Sequence, residues 1–416
     1  MNRGAYAHRI LARILGRSVV RGERITIAPD RTLLSGARGP VTLLRLRERG
    51  GPAHPDRLVV AMDFNAPEVE SQVPRSRVLC RELADLYGIQ HLLDVNLGIG
   101  SQAAVESALV LPGQMIVGCG RCLGVTGGIG ALPLRLDEET LVGALVSGSW
   151  TLEVPPVVRV EMAGRPERYV GPLDLAFAVA EALGPSLPGS LVEIHGSTRD
   201  WSVDLRMGLC GVLLEMGAVS ATMAPSGPVV RFYKDRGVPV EESDAGADAD
   251  AYEASVSVDL RGVGARMAKD YAGPSHSLPA RDGDPIQGVF VGSCYGGRYE
   301  DLSIVAEVLK RQGRVHANVR LAVSPATLET ARAALAAGFY ETFLNAGAMV
   351  VVPGAGPGSA GGGAMFGEGE RIVSTAEYHR LLSPGQGMPE VVLLSPAAAA
   401  VSAALGRLTD PAPFLV

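Results

Sequence analysis

A chain of 416 residues, 47% hydrophobic and 20% charged, carries enough apolar side chain for two or three packed cores and lies far from disordered compositions. Lysine and arginine total 38 against 44 acidic residues, a net charge of −6 that excludes a general nucleic-acid or anionic-membrane partner. No apolar run reaches membrane-spanning length, and five unevenly spaced cysteines do not make a disulfide framework, so cytoplasm is the expected compartment.

In chain order, the opening stretch sets Ile10, Leu11, Ile14 and Leu15 at helical spacing with Gly16 as a stop. Basic residues run through it, so it does not read as a secretory signal. "RLVVAMDFNAP" (57–67) reads as a buried strand ending in a loop, and "SRVLCRELADLYG" (76–88) as an amphipathic helix. "GQMIVGCGRCLGVTGG" (113–128) is a strand entering a glycine-rich turn, and "DEETLVGALVSGSW" (137–150) begins as a capped, acidic helix. The prolines of "TLEVPPVVRVEMAG" (151–164) mark a junction, after which "YVGPLDLAFAVAEALG" (169–184) is a helix stopped by Gly184. The polar stretch "AGPSHSLPARDGDP" (272–285) reads as a linker, followed by another strand–turn–helix, "IQGVFVGSCYGGRYEDLSIVAEVLKRQG" (286–313). The expected architecture is α/β in three domains, 1–150, 151–284 and 285–416, with function on the loops after strands.

The most glycine-rich segment, "AMVVVPGAGPGSAGGGAMFGEGER" (348–371), contains the literal dinucleotide fingerprint as Gly356, Gly358 and Gly361, with Glu377 downstream. That reading needs a helix opening from the glycines. The following "GGAMFGEGE" is too glycine-rich to hold one, and Pro357 removes a backbone donor. No Gly-Lys-Ser/Thr follows, so a phosphate-binding P-loop is excluded too. A plain linker is disfavoured, because patterned segments flank the glycines closely.

The order of several motifs carries more than any one of them. "MDFNAP" (62–67), "GIGSQAAVESALVLPGQMIVG" (98–118), "LVEIHG" (191–196), "DLRMGLCGVLLEMGA" (204–218) and "DADAY" (248–252) come first. "VFVGSCYGGRYEDL" (289–302), the glycine loop, "ERIVST" (370–375) and "VVLLSPAAAAVSAALGRLTDP" (391–411) follow. This succession resembles the aconitase superfamily, closest to the large subunit of 3-isopropylmalate dehydratase. The resemblance implies three α/β domains of the aconitase type without the swivelling fourth domain, which a separate small subunit would carry. It implies a four-iron, four-sulfur cluster held by one cysteine of a G-S-C-T-N-G loop and two of a G-C-G-P-C-L-G loop.

Cys294 matches the first loop, but Ala355 and Gly358 stand where the second loop's cysteines belong. Since such a cluster needs thiolates, the family cofactor is not expected, and no other cofactor is. The family's D-H pair is Asp63 followed by Phe64, and the histidine of G-I-x-H-Q is Ser101 with Gln102 kept. The D-S-H-T loop corresponds to Gly120, Arg121, Cys122 and Leu123, and the arginine-bearing R-N-F-x-G-R segment has become "EYHRLLSPGQG". Asp63, Glu193, Arg206 and Cys294 still match.

The functional expectation is a cluster-free lyase or isomerase acting on a small carboxylate by elimination, addition or cyclisation, in specialised metabolism. Asp63 is the candidate base and Glu193 the candidate acid. Cys122 and Cys294 are candidate nucleophiles, Ser101 a hydrogen-bond donor, and Arg121, Arg298, Arg206 and Gln102 candidate substrate ligands. Each has a structural alternative: Asp63 as a satisfied strand-end carboxylate, the cysteines as core residues, Arg298 paired with Glu300 or Asp301. His195 is expected to be structural and Cys80 and Cys210 to lie in the core; His379, in the altered arginine segment, is a minor candidate to approach the pocket. Two other readings stand beside the enzyme: a catalytically silent large subunit, and a metal site at Cys119, Cys122 and Cys294, since C-x-x-C spacing suits metal ligation.

Overall fold

The computed structural model describes residues 4–36, 38–63, 73–243, 246, 248–358, 365–376 and 387–415. Three parallel sheets organise them. The first runs His91–Leu93, Leu58–Ala61, Arg31–Leu34, Met115–Gly118, Leu132–Arg135. The second runs Ser220–Thr222, Leu191–Gly196, Val157–Ala163, Ala254–Asp259, and the third Met349–Val350, Arg320–Val323, Gly288–Val291, Arg371–Ser374, Glu390–Leu393. All neighbours within these three sheets pair in parallel. An antiparallel pair, Arg24–Ile27 with Trp150–Glu153, closes the far side of the first unit.

Parallel strands need long crossovers, and helices supply them. Helix Tyr6–Leu15 buries Ile10 and Leu11 and ends at Gly16, whose φ of 70° is the left-handed stop expected there. Helix Glu138–Ser147 starts where the Asp137 carboxylate accepts the Thr140 N–H at 3.0 Å. Helix Pro172–Leu183 starts on a proline, with the Asp174 carboxylate accepting the Gly171 N–H at 2.9 Å. Strands Leu58–Ala61, Met115–Gly118 and Gly288–Val291 are buried at every position, as strands covered on both faces must be.

One expectation needs correction. Residues 272–285 do not form a free linker: His276–Ser277 pairs antiparallel with Arg266–Met267, and Leu278 is fully buried. The glycine-rich turn after Met115–Gly118 is a largely buried 3-10 helix, Arg121–Ile129. Its glycines let it press on helix Val203–Glu215. A Cβ on Gly127 would collide with the Ala221 carbonyl oxygen, and one on Gly128 with the Met207 backbone.

The sheet order matters for function. In the first sheet, the order in which strands are added reverses between Arg31–Leu34 and Met115–Gly118; in the third, between Gly288–Val291 and Arg371–Ser374. Open parallel sheets bind ligands beyond the carboxyl ends of the strands at such switch points. Among the described residues no helix is long and apolar enough to cross a membrane.

The contact at Gly127 gives a stability test. Gly127→Ala should cost about 1–3 kcal/mol, read as a lower urea midpoint, because backbone must move to admit the methyl. Gly143→Ala, whose methyl meets nothing within 4 Å in mid-helix, should stabilise by up to about 1 kcal/mol. Equal effects of the two substitutions would contradict the packing described.

Candidate active site

Asp63 follows strand Leu58–Ala61 at the first sheet's carboxyl edge and is 4% exposed. Its two oxygens accept the Gly36 N–H at 2.7 Å and the Gly100 N–H at 2.6 Å. Burial drives its pKa up to about 6, against the pull of those two backbone donors. Gly100 opens the short helix Gly100–Glu106, which carries Ser101 and Gln102. The Ser101 hydroxyl is completely buried and has no hydrogen-bond partner among the described residues. Gln102 donates to Glu106 at 2.9 Å and to the Thr330 hydroxyl at 3.3 Å, while its own carbonyl oxygen has no partner among the described residues. Burial, reinforced by Glu329, pushes Glu106 to about 7, against hydrogen bonds from Gln102 and Thr327.

The third sheet meets this edge. The Ile99 N–H donates to the Ala326 carbonyl at 2.9 Å, and Gly98 bridges to Thr327. The glycine loop begins beside them: the Gly354 N–H donates to the Pro325 carbonyl at 2.8 Å. The Ser324 hydroxyl donates to the carbonyls of Val352 at 3.0 Å and Gly354 at 3.1 Å, and Gly356–Gly358 makes a 3-10 turn. A Cβ on Gly354 would lie 3.7 Å from the Asp63 carbonyl oxygen, so this loop faces the end of the first sheet's strand. Gly361, Glu377, His379 and the rest of "EYHRLLSPGQ" lie outside the described residues, as does Phe64.

Cys294 lies in the turn after Gly288–Val291, at the third sheet's switch point, and is disulfide-bonded to Cys122 with a Cα–Cα distance of 6.3 Å. Thr375, from the strand across the switch, accepts the Gly292 N–H at 3.0 Å and donates back to the Gly292 carbonyl at 3.1 Å. Ser293 holds a φ of 67°, unusual for a side-chain-bearing residue. The expected convergence of three cysteines is therefore corrected to two. Cys119 packs under the first sheet with its sulfur 3.9 Å from the Thr42 hydroxyl. Gly120, in extended backbone, separates it from the helical Cys122. Among the described residues, no group of three or more His, Cys, Asp or Glu side chains is placed to hold a metal ion. Cys80 and Cys210 are buried thiols, raised by burial to about 11 and about 12.

The arginines separate by burial. Arg206, 1% exposed, donates to the carbonyls of Gly128, Met223 and Ala224 and to the Ser226 hydroxyl, bracing the 3-10 helix. Arg298 is 0% exposed and is not paired with Glu300 or Asp301 through its guanidinium, which donates to the Cys294 carbonyl. Its backbone N–H instead donates to Asp301 at 3.0 Å. Arg121 alone of the three reaches solvent, with Glu215 at 3.4 Å.

Glu193 is held apart from Asp63, on different partners. One oxygen accepts the Ala7 N–H at 2.7 Å; the other lies 3.2 Å from both the Tyr252 hydroxyl and the His195 ring, which are 3.3 Å from each other. The Glu193–His195–Tyr252 triangle was not foreseen; its signal was the "DADAY" motif together with His195, two residues from Glu193 on its strand. Glu106 was also missed, although its spacing of four from Gln102 on a helix predicts contact.

A cavity of about 710 Å³ opens beyond the carboxyl ends of the second sheet, lined by Arg165, Arg168, Trp201, Asp204, Glu300 and Asp301 among others. None of Asp63, Ser101, Cys122, Cys294 or Glu193 lines it. Burial raises Asp301 to about 7, opposed by Arg298.

With this geometry in place, relatives can be compared. The chain matches the aconitase family (aconitate hydratase) over residues 12–266 and 256–406. It belongs to the aconitase family. The 3-isopropylmalate dehydratase large subunit 1 of Methanopyrus kandleri is 33% identical over 420 residues, covering 98% of this chain and 99% of that one. The probable methanogen homoaconitase large subunit of Methanothermobacter thermautotrophicus is 32% identical over 421 residues, covering 97% and 96%. The holo-form crystal structure of Thermococcus kodakaraensis aconitase X superposes with a TM-score of 0.51 over 89% of each chain at 12% identity, a likeness of fold. The mixed α/β, parallel-sheet architecture is thus the aconitase type.

The raised Asp63 pKa has a definite sign in this aconitase-family fold. Between the ordinary value of 3.8 and the folded value of about 6, the native state holds a proton that the unfolded chain has lost. The stabilisation is complete below the lower value and disappears as pH rises through the upper one, amounting to roughly 3 kcal/mol at most. Urea titrations of wild type and Asp63→Asn from pH 4 to 7 should show the difference in stability moving in the variant's favour. A pH-independent difference would rule out the raised pKa.

Proposed function

We propose that this chain is a lyase or isomerase that acts on a small carboxylate by acid/base chemistry without the family's four-iron cluster, in specialised metabolism. The observation that carries the reading is the state of the thiols. The cluster needs thiolate ligands; Ala355 and Gly358 offer none, and the Cys294 sulfur is bonded to Cys122. The residues present do not fit the group, so the proposed chemistry runs through side chains alone.

Asp63 is the proposed base. A carboxylate with a pKa near 6 is ionised at neutral pH yet basic enough to take a proton from carbon beside a substrate carboxylate. Elimination then breaks the bond to a leaving group, which receives a proton from the acid, with Glu193 as the candidate. The unpartnered Ser101 hydroxyl supports a role as donor to substrate. Arg121, the exposed member of the three arginines, is the proposed carboxylate ligand, with Gln102 beside the site. The similar proteins from M. kandleri and M. thermautotrophicus are named as large subunits, which supports a small-subunit partner for this chain.

A second reading, a non-catalytic subunit that binds a partner or metabolite, is favoured by the near-complete burial of Asp63 and Ser101. Assays with 3-isopropylmalate and related hydroxy-dicarboxylates, with and without a small subunit, separate the two. On the enzyme reading, Asp63→Asn lowers kcat by about 100-fold or more. The rate falls below pH of about 6 in wild type, following the Asp63 carboxyl. Arg121→Ala raises KM about tenfold with kcat little changed. Full activity in Asp63→Asn and Glu193→Gln would end the proposal, and a stable complex without turnover would establish the second reading.

A further inference from the structure

We infer that Cys122 and Cys294 form a reversible thiol–disulfide exchange site, reduced by a dithiol, that fastens the first sheet to the third at their switch points. The inference rests on where the two sulfurs lie and stands whether or not the chain is a lyase.

The pair joins residues 172 apart in sequence, one after the Met115–Gly118 strand and the other after the Gly288–Val291 strand. These strands border the reversal of strand order in each sheet. Cys80, Cys119 and Cys210 are buried and reduced, and burial raises all three thiols above their ordinary value. Raised thiols are poor nucleophiles and stay out of exchange. One cross-link at a ligand-binding edge, with inert thiols elsewhere, differs from the several bridges of a stapled small domain.

Access to the two sulfurs is unequal. Cys122 is 7% exposed and Cys294 0%, so of the two bonded sulfurs Cys122 is the less covered target for an incoming thiolate once the seam opens locally. Its sulfur forms a bond to Cys122, the Cys122–Cys294 bond breaks, and Cys294 leaves with the electron pair and takes up a proton. The second thiolate of the dithiol then attacks its own partner sulfur. Cys122 is released as a thiolate and protonated, and the dithiol leaves as a disulfide. Two electrons and two protons pass to the protein and none are left over.

Contacts that do not involve sulfur keep the two loops opposed after reduction. The Tyr295 hydroxyl donates to the Arg121 carbonyl at 3.1 Å and to Glu215 at 3.0 Å. Each loop is also held within its own unit, where Arg135 donates to the Arg121 carbonyl at 3.0 Å and the Arg298 guanidinium donates to the Cys294 carbonyl. Reduction therefore loosens the seam without separating it, and oxidation can close it again.

The test uses the full chain purified without reductant, denatured in an alkylating agent and mapped by mass spectrometry. Of the five cysteines, the three free ones should be alkylated, with Cys122 and Cys294 in one linked pair. Dithiothreitol on the native protein should bring the count to all five without loss of circular dichroism, and oxidised glutathione should restore the link. The oxidised form should melt several degrees higher than the reduced form. That difference should be absent in both Cys122→Ser and Cys294→Ser. Tyr295→Phe should slow re-oxidation several-fold while leaving the final thiol count unchanged. Five reactive thiols after oxidation would overturn the inference. So would a link that resists dithiothreitol until the protein unfolds, because it would then be a fixed staple. Neither result depends on the Asp63→Asn assay, so failure here and failure of the lyase reading are told apart.

Discussion

The structure depends on a constraint of parallel sheets: every strand in such a sheet delivers its carboxyl end to the same edge. In this chain two five-stranded sheets meet edge to edge at the points where their strand order reverses. Loops that are remote in sequence are thereby brought together. Asp63, Gly98 to Gln102, Cys122, Cys294, Ser324 and Gly354 all lie in segments that follow strands, and cross-links between the two edges run through backbone, hydroxyl, amide and sulfur. The disulfide is the covalent member of that set, but it does not act alone. Ile99 to Ala326 and Tyr295 to Arg121 hold the same seam by hydrogen bonds, which is why loss of the sulfur bond need not open it.

Burial of polar groups along these edges sets their chemistry. A carboxylate taken out of water must be neutralised, paired or given donors. Asp63 receives two backbone N–H groups and Asp174 receives those of Gly171 and Arg266, yet both are raised to about 6 because desolvation outweighs the donors. Arg206 cannot adjust by losing its proton in the same way. It is instead surrounded by three carbonyls and a hydroxyl, which turns a cation of substrate-binding type into a brace between the first and second units. Arg298 is less completely served: its Nε and one terminal nitrogen lack hydrogen-bond partners among the described residues, and its guanidinium fixes the Cys294 turn through the carbonyl. Family resemblance at a position therefore does not carry role with it; the local supply of acceptors decides whether an arginine faces a ligand or the protein.

Much of the fold was legible because its elements obey short-range rules. Asp137, Pro172, Gly16 and Gly148 cap or stop helices where propensity places such residues, and fully apolar four-residue runs became covered strands. The mispredicted linker had polar composition but a single deeply buried anchor, Leu278, that no local pattern distinguishes. The Cys119 error is instructive, since the needed information was present. Met115, Val117 and Cys119 alternate onto one face of their strand and pack into one core, whereas Ile116 and Cys122 belong to the other. C-x-x-C spacing suggests convergence only if both residues share a helix turn or a hairpin, and an extended Gly120 breaks that condition. The Glu193–His195–Tyr252 triangle was only partly legible: "DADAY" and His195 stand out, but Tyr252 reaches the strand from 57 residues beyond His195, and no local spacing joins them.

The separation of Asp63 from Glu193 bears on the proposed reaction. An acid/base pair works on one substrate only when each group comes within hydrogen-bond reach of the atom whose proton it moves. Asp63 is anchored at the seam of the first and third sheets, while Glu193 is anchored to the amino-terminal helix and the second sheet. Each carboxyl is fixed by backbone N–H donors, so neither swings toward the other without losing hydrogen bonds that its burial requires. On the proposed reading, Asp63 serves as the base at one seam, and its acid partner is either Glu193 acting through the Tyr252 hydroxyl or a group on a partner chain. The Tyr252 phenol, half-buried and 3.2 Å from Glu193, extends that carboxyl's proton-transfer reach by one hydroxyl. On the other route, the proton comes from a group that the proposed small subunit brings to the seam.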